Sequence, residues 1–189
     1  GSDSLVDFRV ESDNNSHMLF VDGGTDKIGI NTNTPLHTLS VSGTMQVSGS
    51  FTAKTLDVTR STYQYGGTAE HFIPFVGTPD ATNADWENQM IAPFNGNLKR
   101  VLWRAANAQN GNITASFWRA VNTQAAIDDG VRVENVVAAN SAVYTTTVIN
   151  FTGSNHFAAG DVIGVAINPR LNPGQINVVC IWEFDKTTF

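Results

Sequence analysis

The first sixty residues alternate apolar and polar positions in short runs, a pattern that predicts very short β-strands separated by turns. The apolar residues come in pairs two positions apart: Phe8/Val10, Leu19/Val21, Ile28/Ile30, Leu39/Val41, Met45/Val47 and Leu56/Val58. Between them lie segments rich in Asp, Asn and Gly, such as 13–16 and 22–26, which favour tight turns. Each predicted strand therefore directs about two apolar side chains to one side of a sheet.

So few apolar side chains per strand cannot offset the roughly 1 to 2 kcal/mol per residue of backbone entropy lost on ordering within one chain. Residues 41–46 and 47–52 also repeat a six-residue pattern, and repeats of short β units are typical of solenoids and intertwined fibres. A flexible linker is the alternative, but a linker has no reason to alternate its apolar residues. The pattern predicts an intertwined trimeric β-stem over residues 3–61.

From residue 62 the runs become longer, and eight strands are predicted with turn signals between them. They span 70–76, 89–91, 96–105, 111–121, 130–137, 142–151, 161–168 and 175–184. Helix is limited to a turn or two at 80–88 and 123–129. The fold class predicted for the chain is all-β, with residues 62–189 forming an antiparallel β-sandwich of jelly-roll type as a head. The segment 161–167 is apolar on both faces, which places it at the centre of the sandwich or at a subunit interface.

Composition and charge narrow the range of partners. Charged residues make up 15% of the chain, the formal net charge is -6, and the eleven Lys and Arg residues are scattered. A nucleic-acid partner is not expected, because there is no basic footprint for a phosphate backbone. No apolar run approaches 18 residues, so membrane insertion is not expected either. The single cysteine, Cys180, lies in an apolar run and is predicted to be a small buried hydrophobe.

Motifs for catalysis, cofactors and metals are missing from the sequence. It has no G-x-S-x-G, phosphate-binding loop or dinucleotide fingerprint, so no catalytic residue and no cofactor is predicted. Asp22 and Asp26 flank two glycines and could hold calcium where chains converge, but turn formation accounts for them. The four histidines lack ligand spacing, so no metal is predicted, although a threefold axis could bring identical histidines together.

Candidate binding residues lie in polar segments and predicted exposed loops, where aromatic side chains suit sugar stacking or protein anchoring and polar side chains can supply specificity. They are Tyr63, Tyr65, Trp86, Asn107, Asn110, Asn122, Arg170 and Asn172. The alternative for each aromatic is that it pins its own loop to the core. Trp103, Trp118 and Trp182 lie within predicted strands and are expected in the core or at a subunit interface.

Two stretches carry a resemblance to known families. Residues 7–13 (DFRVESD), 18–35 (MLFVDGGTDKIGINTNTP) and 39–43 (LSVSG) resemble the stem repeats of bacteriophage tail-fibre proteins. Asn31 stands where glycine is usual in that turn, and asparagine also accepts a positive φ. Residues 157–167 (FAAGDVIGVAI) and 91–98 (IAPFNGNL) are similar to segments of trimeric jelly-roll heads of the C1q and tumour-necrosis-factor type.

The resemblance implies a virion fibre or spike protein whose homotrimeric head binds a host-cell surface glycan or protein during adsorption. Its other partners would be tail or fibre proteins, and its location the virion. Some fibres with such stems end in an autocleaving chaperone domain, but no segment after Tyr63 matches one, so no enzyme is expected. Two alternatives stay open. The first is a virion-associated glycan hydrolase or depolymerase, because the distance between the two carboxylates of a glycosidase depends on the fold and cannot be read from the sequence. The second is a structural decoration protein of the virion that binds no receptor.

Overall fold

The computed structural model describes residues 7–49, 53–75, 88–121, 123, 126–139 and 142–186. The protein is 56% strand, with three largely antiparallel sheets and no α-helix in these ranges, so the all-β prediction is confirmed. No helix of the described residues is both long and apolar enough to cross a membrane. The chain divides into two compact units, Gly1–Phe51 and Thr52–Phe189.

The first unit contains one four-stranded sheet. Its strands are β1 (Phe8–Ser12), β2 (Asn15–Asp22), β3 (Lys27–Ile30) and β4 (Leu39–Val41). They lie side by side in chain order; β1, β2 and β3 are antiparallel, whereas β3 and β4 are parallel. The four strands are short and contain the first four predicted apolar pairs, whereas the predicted pair Met45/Val47 lies in no strand.

Polar side chains form the turns of this sheet. The Asp22 carboxylate accepts hydrogen bonds from the Gly24 and Thr25 backbone N–H groups and from the Thr25 hydroxyl. The hydroxyl bond is the main reason that the pKa of Asp22 lies below its usual value. Asn31 has a φ of 59°, and its side-chain amide donates to the Ser42 carbonyl oxygen at 2.8 Å. Asparagine thus supplies the left-handed conformation expected at this turn.

The described residues of the second unit form ten strands in two sheets. They are β5 (Lys54–Tyr65), β6 (His71–Phe72), β7 (Met90–Ile91), β8 (Asn95–Ala105), β9 (Ile113–Ala120), β10 (Val131–Ala138), β11 (Thr147–Asn150), β12 (His156–Phe157), β13 (Val162–Asn168) and β14 (Gly174–Asp185). The first sheet, called here the β14 sheet, has the order β11-β8-β14-β5, with β12 also pairing β8. The second, called the β13 sheet, has the order β10-β9-β13-β6, with β7 also pairing β13.

Strand β5 crosses the domain boundary that was predicted at residue 61. It pairs with β14 over its whole length, from Lys54 opposite Asp185 to Tyr65 opposite Gly174. Residues 54–61, assigned from sequence to the stem, therefore belong to the second unit, and the division of the chain falls after Phe51. The physical reason is that residues 53–65 contain no Gly, Pro or Asn to break the strand, so the alternation continues as one long strand.

The core of the second unit lies between its two sheets. Along β14, Ile176, Val178, Cys180, Trp182 and Phe184 alternate with more exposed residues and point inward. The Trp182 ring lies 6.2 Å from that of Phe117 on the opposite sheet, centroid to centroid. Cys180 is buried as predicted, and burial raises the pKa of its thiol to about 12, so the thiol stays protonated at neutral pH.

Strand β13 lies inside its sheet, between β9 on one side and β6 and β7 on the other, which agrees with the first of the two positions predicted from its apolar pattern. Ile163, Val165 and Ile167 face the main core, and Gly164 and Ala166 face the opposite side. That opposite side is covered by a smaller apolar cluster containing Phe72, Ala120, Ile127 and Ala166. Both faces of β13 are therefore buried within one chain.

Candidate functional site

Two loops meet at one end of the second unit and form a surface called here the tip. Residues 106–112 connect β8 to β9, and residues 169–173 connect β13 to β14. Ala105 pairs with Ile176, and Thr114 pairs with Asn168, so both loops leave their sheets at the same end. The two loops of the tip are therefore held by β8, β9, β13 and β14, and loops held by packed strands often carry ligand-binding residues.

Hydrogen bonds made by side-chain amides and the backbone connect the two loops. The buried Gln109 Oε1 accepts hydrogen bonds from the Arg170 and Leu171 backbone N–H groups, each at 2.9 Å. The Asn107 N–H donates to the Pro173 carbonyl oxygen at 3.0 Å, and the Asn107 amide donates to the Asn172 carbonyl oxygen at 3.1 Å. These bonds hold the tip without a bound partner.

Four of the residues predicted from sequence meet at this tip. Asn107, Asn110, Arg170 and Asn172 are all exposed there. They meet because the pairing of β8 with β14 and of β9 with β13 brings both loops to the same end, and their exposure agrees with the prediction that they lie in surface loops. Trp86 and Asn122, also predicted, lie outside the described residues.

The two predicted tyrosines lie in the interior. Tyr63 and Tyr65 are 4% and 2% exposed, because they alternate with polar residues at the end of β5 and share its inward face. The Tyr63 hydroxyl lies 2.7 Å from His71 Nε2, and the Tyr65 ring stacks on the His71 ring. Burial raises the pKa of Tyr63 well above its usual value. Neither side chain is available to a receptor in this fold; both pin the following segment to the core.

An exposed aromatic that sequence reasoning missed is Tyr144. The predicted strand 142–151 placed it among paired residues, but β11 begins only at Thr147. Tyr144 has a φ of 56° and is 61% exposed, and the Arg104 guanidinium lies 5.6 Å from its ring centroid. No sequence signal marks a tyrosine for the left-handed region, which its side chain disfavours.

The outer face of the β14 sheet carries a second distinctive surface. Its apolar members come from all four main strands and are Leu56, Val58, Leu102, Val148, Val179 and Ile181. A groove of about 790 Å³ is lined in part by residues of this face, among them Leu56, Arg100 and Ile181. Leu56 and Val58 are 64% and 49% exposed within the single chain.

Metal-binding geometry is not found in the described part of the chain, where no three His, Cys, Asp or Glu side chains come close enough to hold an ion. Asp22 instead satisfies its oxygens with turn N–H groups and a hydroxyl.

Replacing Gln109 with leucine is expected to loosen the tip. The two N–H groups of Arg170 and Leu171 lose their common acceptor, at a cost of about 1 to 3 kcal/mol. Their amide hydrogens should exchange about tenfold faster, measured by hydrogen exchange and NMR. Asn110→Ala, an exposed change in the same loop, is the control and should leave both rates unchanged. Equal exchange in wild type and Gln109→Leu would contradict the role assigned to Gln109.

Comparison of the sequence with known protein families gives no matching family model, and comparison with curated proteins gives no match.

Proposed function

We propose that this chain is part of a homotrimeric viral fibre or spike, of the bacteriophage type, whose head binds a host-cell surface receptor. The first unit contributes to an intertwined stem, and the second unit is a jelly-roll head. The receptor is a glycan or a protein, the other partners are tail or fibre proteins, and the location is the virion.

The observation that carries the proposal is an open apolar face on the four-stranded sheet. Directly paired residues point to the same side of a sheet, and here they form two rows across all four strands. The rows are Phe8–Val21–Ile28–Leu39 and Val10–Leu19–Ile30–Val41. Phe8 and Leu39 are 58% and 53% exposed, and the only buried apolar side chains among the described residues 7–49 are those of Phe20 and Pro35.

If this face stays in contact with water, the sheet loses most of the free energy that burial of its apolar side chains would contribute. Full burial of an apolar side chain contributes about 1.5 to 3 kcal/mol, and monomers rarely expose large contiguous apolar patches. Three copies can direct their faces toward a common axis and enclose one core, since closed symmetric assembly is the usual solution for identical chains. The resemblance of the first unit's sequence to fibre stems favours an assembly of three chains rather than two.

The path of the second unit supports a jelly-roll head. Strands β5, β8, β11, β12 and β14 belong to the β14 sheet, and β6, β7, β9, β10 and β13 to the β13 sheet. The chain thus crosses repeatedly between the sheets, as in a double Greek key.

The tip supports receptor binding, because it presents amides and Arg170 on loops that are fixed before any ligand arrives. A trimer presents three copies, and several trimers on one virion would raise avidity through effective concentration.

Two measurements test the proposal. Light scattering should give three times the chain mass of 20.4 kDa, and the purified trimer should reduce adsorption of the virus to cells that retain it. A stable monomer would contradict the assembly. A trimer that never competes would favour the decoration protein, and release of reducing sugar from host polysaccharide would favour the hydrolase.

A further inference from the structure

We propose that Tyr144, Arg104 and Asn177 form a contact site for an anionic saccharide, one that carries carboxylate groups. The inference rests on the proposed function and deepens it, since it selects a glycan and assigns residues that contact it.

The first observation is that Tyr144 has an unfavourable backbone conformation and an exposed ring. A bulky residue in the left-handed region costs about 1 to 2 kcal/mol. The Tyr144 N–H donates to the Ala105 carbonyl oxygen at 3.0 Å, which fixes the turn against the end of β8. The turn therefore holds an aromatic ring in solvent, at a conformational cost that glycine or asparagine would avoid. An exposed ring of this kind suits stacking against the apolar face of a sugar.

The second observation is a cation beside that ring. Arg104 is exposed on the outer face of the β14 sheet, and no Asp or Glu of the described residues forms an ion pair with it. Its guanidinium can therefore offer its fork of N–H donors to a ligand carboxylate.

The third observation is the charge of the surroundings. The segments 104–112, 142–147 and 168–174 contain two arginines and no Asp or Glu, although the whole chain has a net charge of -6. The loops around Tyr144 and at the tip therefore contain no carboxylate side chain. This distribution favours an anionic ligand over a neutral one.

The fourth observation is an adjacent amide donor. Asn177 pairs with Arg104 across β14 and β8 and is exposed. Its Oδ1 accepts a hydrogen bond from the Thr62 hydroxyl at 2.9 Å, which turns the Nδ2 donors toward other partners. Amide and hydroxyl groups beside the Arg104 guanidinium, which itself lies by an exposed aromatic ring, suit the alternating polar and apolar surface of a saccharide.

Binding of defined saccharides to the intact protein tests this site. Calorimetry would use oligogalacturonate as the carboxylate probe, phosphomannan as the phosphate probe and dextran as the neutral probe. Wild type is expected to bind oligogalacturonate in preference to the other two, with weaker affinity at higher ionic strength. Arg104→Gln should weaken this binding about tenfold or more.

Tyr144→Gly separates a binding role from a structural one. Glycine accepts the positive φ, so the melting temperature should hold or rise while binding falls about tenfold. Arg9→Gln, the same charge change in the first unit, is the control and should bind like wild type.

Each contrary result has a distinct meaning. Absence of oligogalacturonate binding, preference for phosphomannan, or equal binding by wild type and both site variants would overturn the site. If the trimer still blocks adsorption in that case, only this inference fails. If it neither binds the probes nor blocks adsorption, the proposed receptor-binding function fails as well.

Discussion

Replacing Trp182 with alanine is expected to lower the free energy of unfolding of the second unit by about 3 to 5 kcal/mol. The side chain is fully buried, and its ring lies 5.9 Å from Phe157, 6.0 Å from Phe75 and 6.2 Å from Phe117, centroid to centroid. Alanine would leave a cavity between the two sheets that rigid strands cannot close. Urea denaturation followed by circular dichroism would measure the loss.

Trp182→Phe is the matched control for this change. It keeps an aromatic ring in the core but removes the hydrogen bond from Trp182 Nε1 to the Thr59 hydroxyl, which measures 3.0 Å. The Trp182→Phe variant should lose clearly less free energy of unfolding than the Trp182→Ala variant. A loss below about 1 kcal/mol for the alanine variant would show that the sheets do not share the tightly packed core described above.

The second large effect is expected from Ile30→Lys in the four-stranded sheet. Ile30 stands inside one apolar row, between Leu19 and Val41. In a trimer that buries this face, three lysines would enter one core without partners, and each unpaired charge costs several kcal/mol. The trimer should dissociate at concentrations where wild type remains assembled, measured by sedimentation in a dilution series.

Met18→Lys provides the control for that substitution. Met18 is also an exposed apolar residue of the sheet, but it lies in β2 next to Leu19 and therefore on the opposite face. Its lysine should leave assembly intact. Identical dissociation curves for the two variants would show that the apolar rows are not the contact surface between chains.

Local patterns in the sequence were enough to locate most strands. The predicted strands 96–105 and 175–184 correspond to β8 and β14, because alternation of apolar residues is set by the pleat itself. The pairing of β5 was missed, since its partner β14 lies more than a hundred residues away and no local pattern encodes it. Tyr63 and Tyr65 were misplaced for the same reason: what buries them is the packing of distant strands.

The candidate site, like the fold, could be predicted from the sequence only in part. Asn107 and Asn172 were found because turn-forming residues mark exposed loops, and the structure brings their loops together. Tyr144 was missed because its sequence alternates like a strand, whereas its backbone adopts a conformation that tyrosine disfavours. The buried acceptor Gln109 was also missed, since amides in loops usually face solvent.

The position of β14 sets the order in which the second unit can form. It pairs with β5 on one side and β8 on the other, and among the described strands β5 has no other neighbour. During synthesis, β5 and β8 must remain without a shared partner until residues 174–185 leave the ribosome. Such long-range pairing slows folding and exposes apolar strands to other nascent chains. Chaperone protection of this interval would therefore matter more for the second unit than for the locally paired strands of the first.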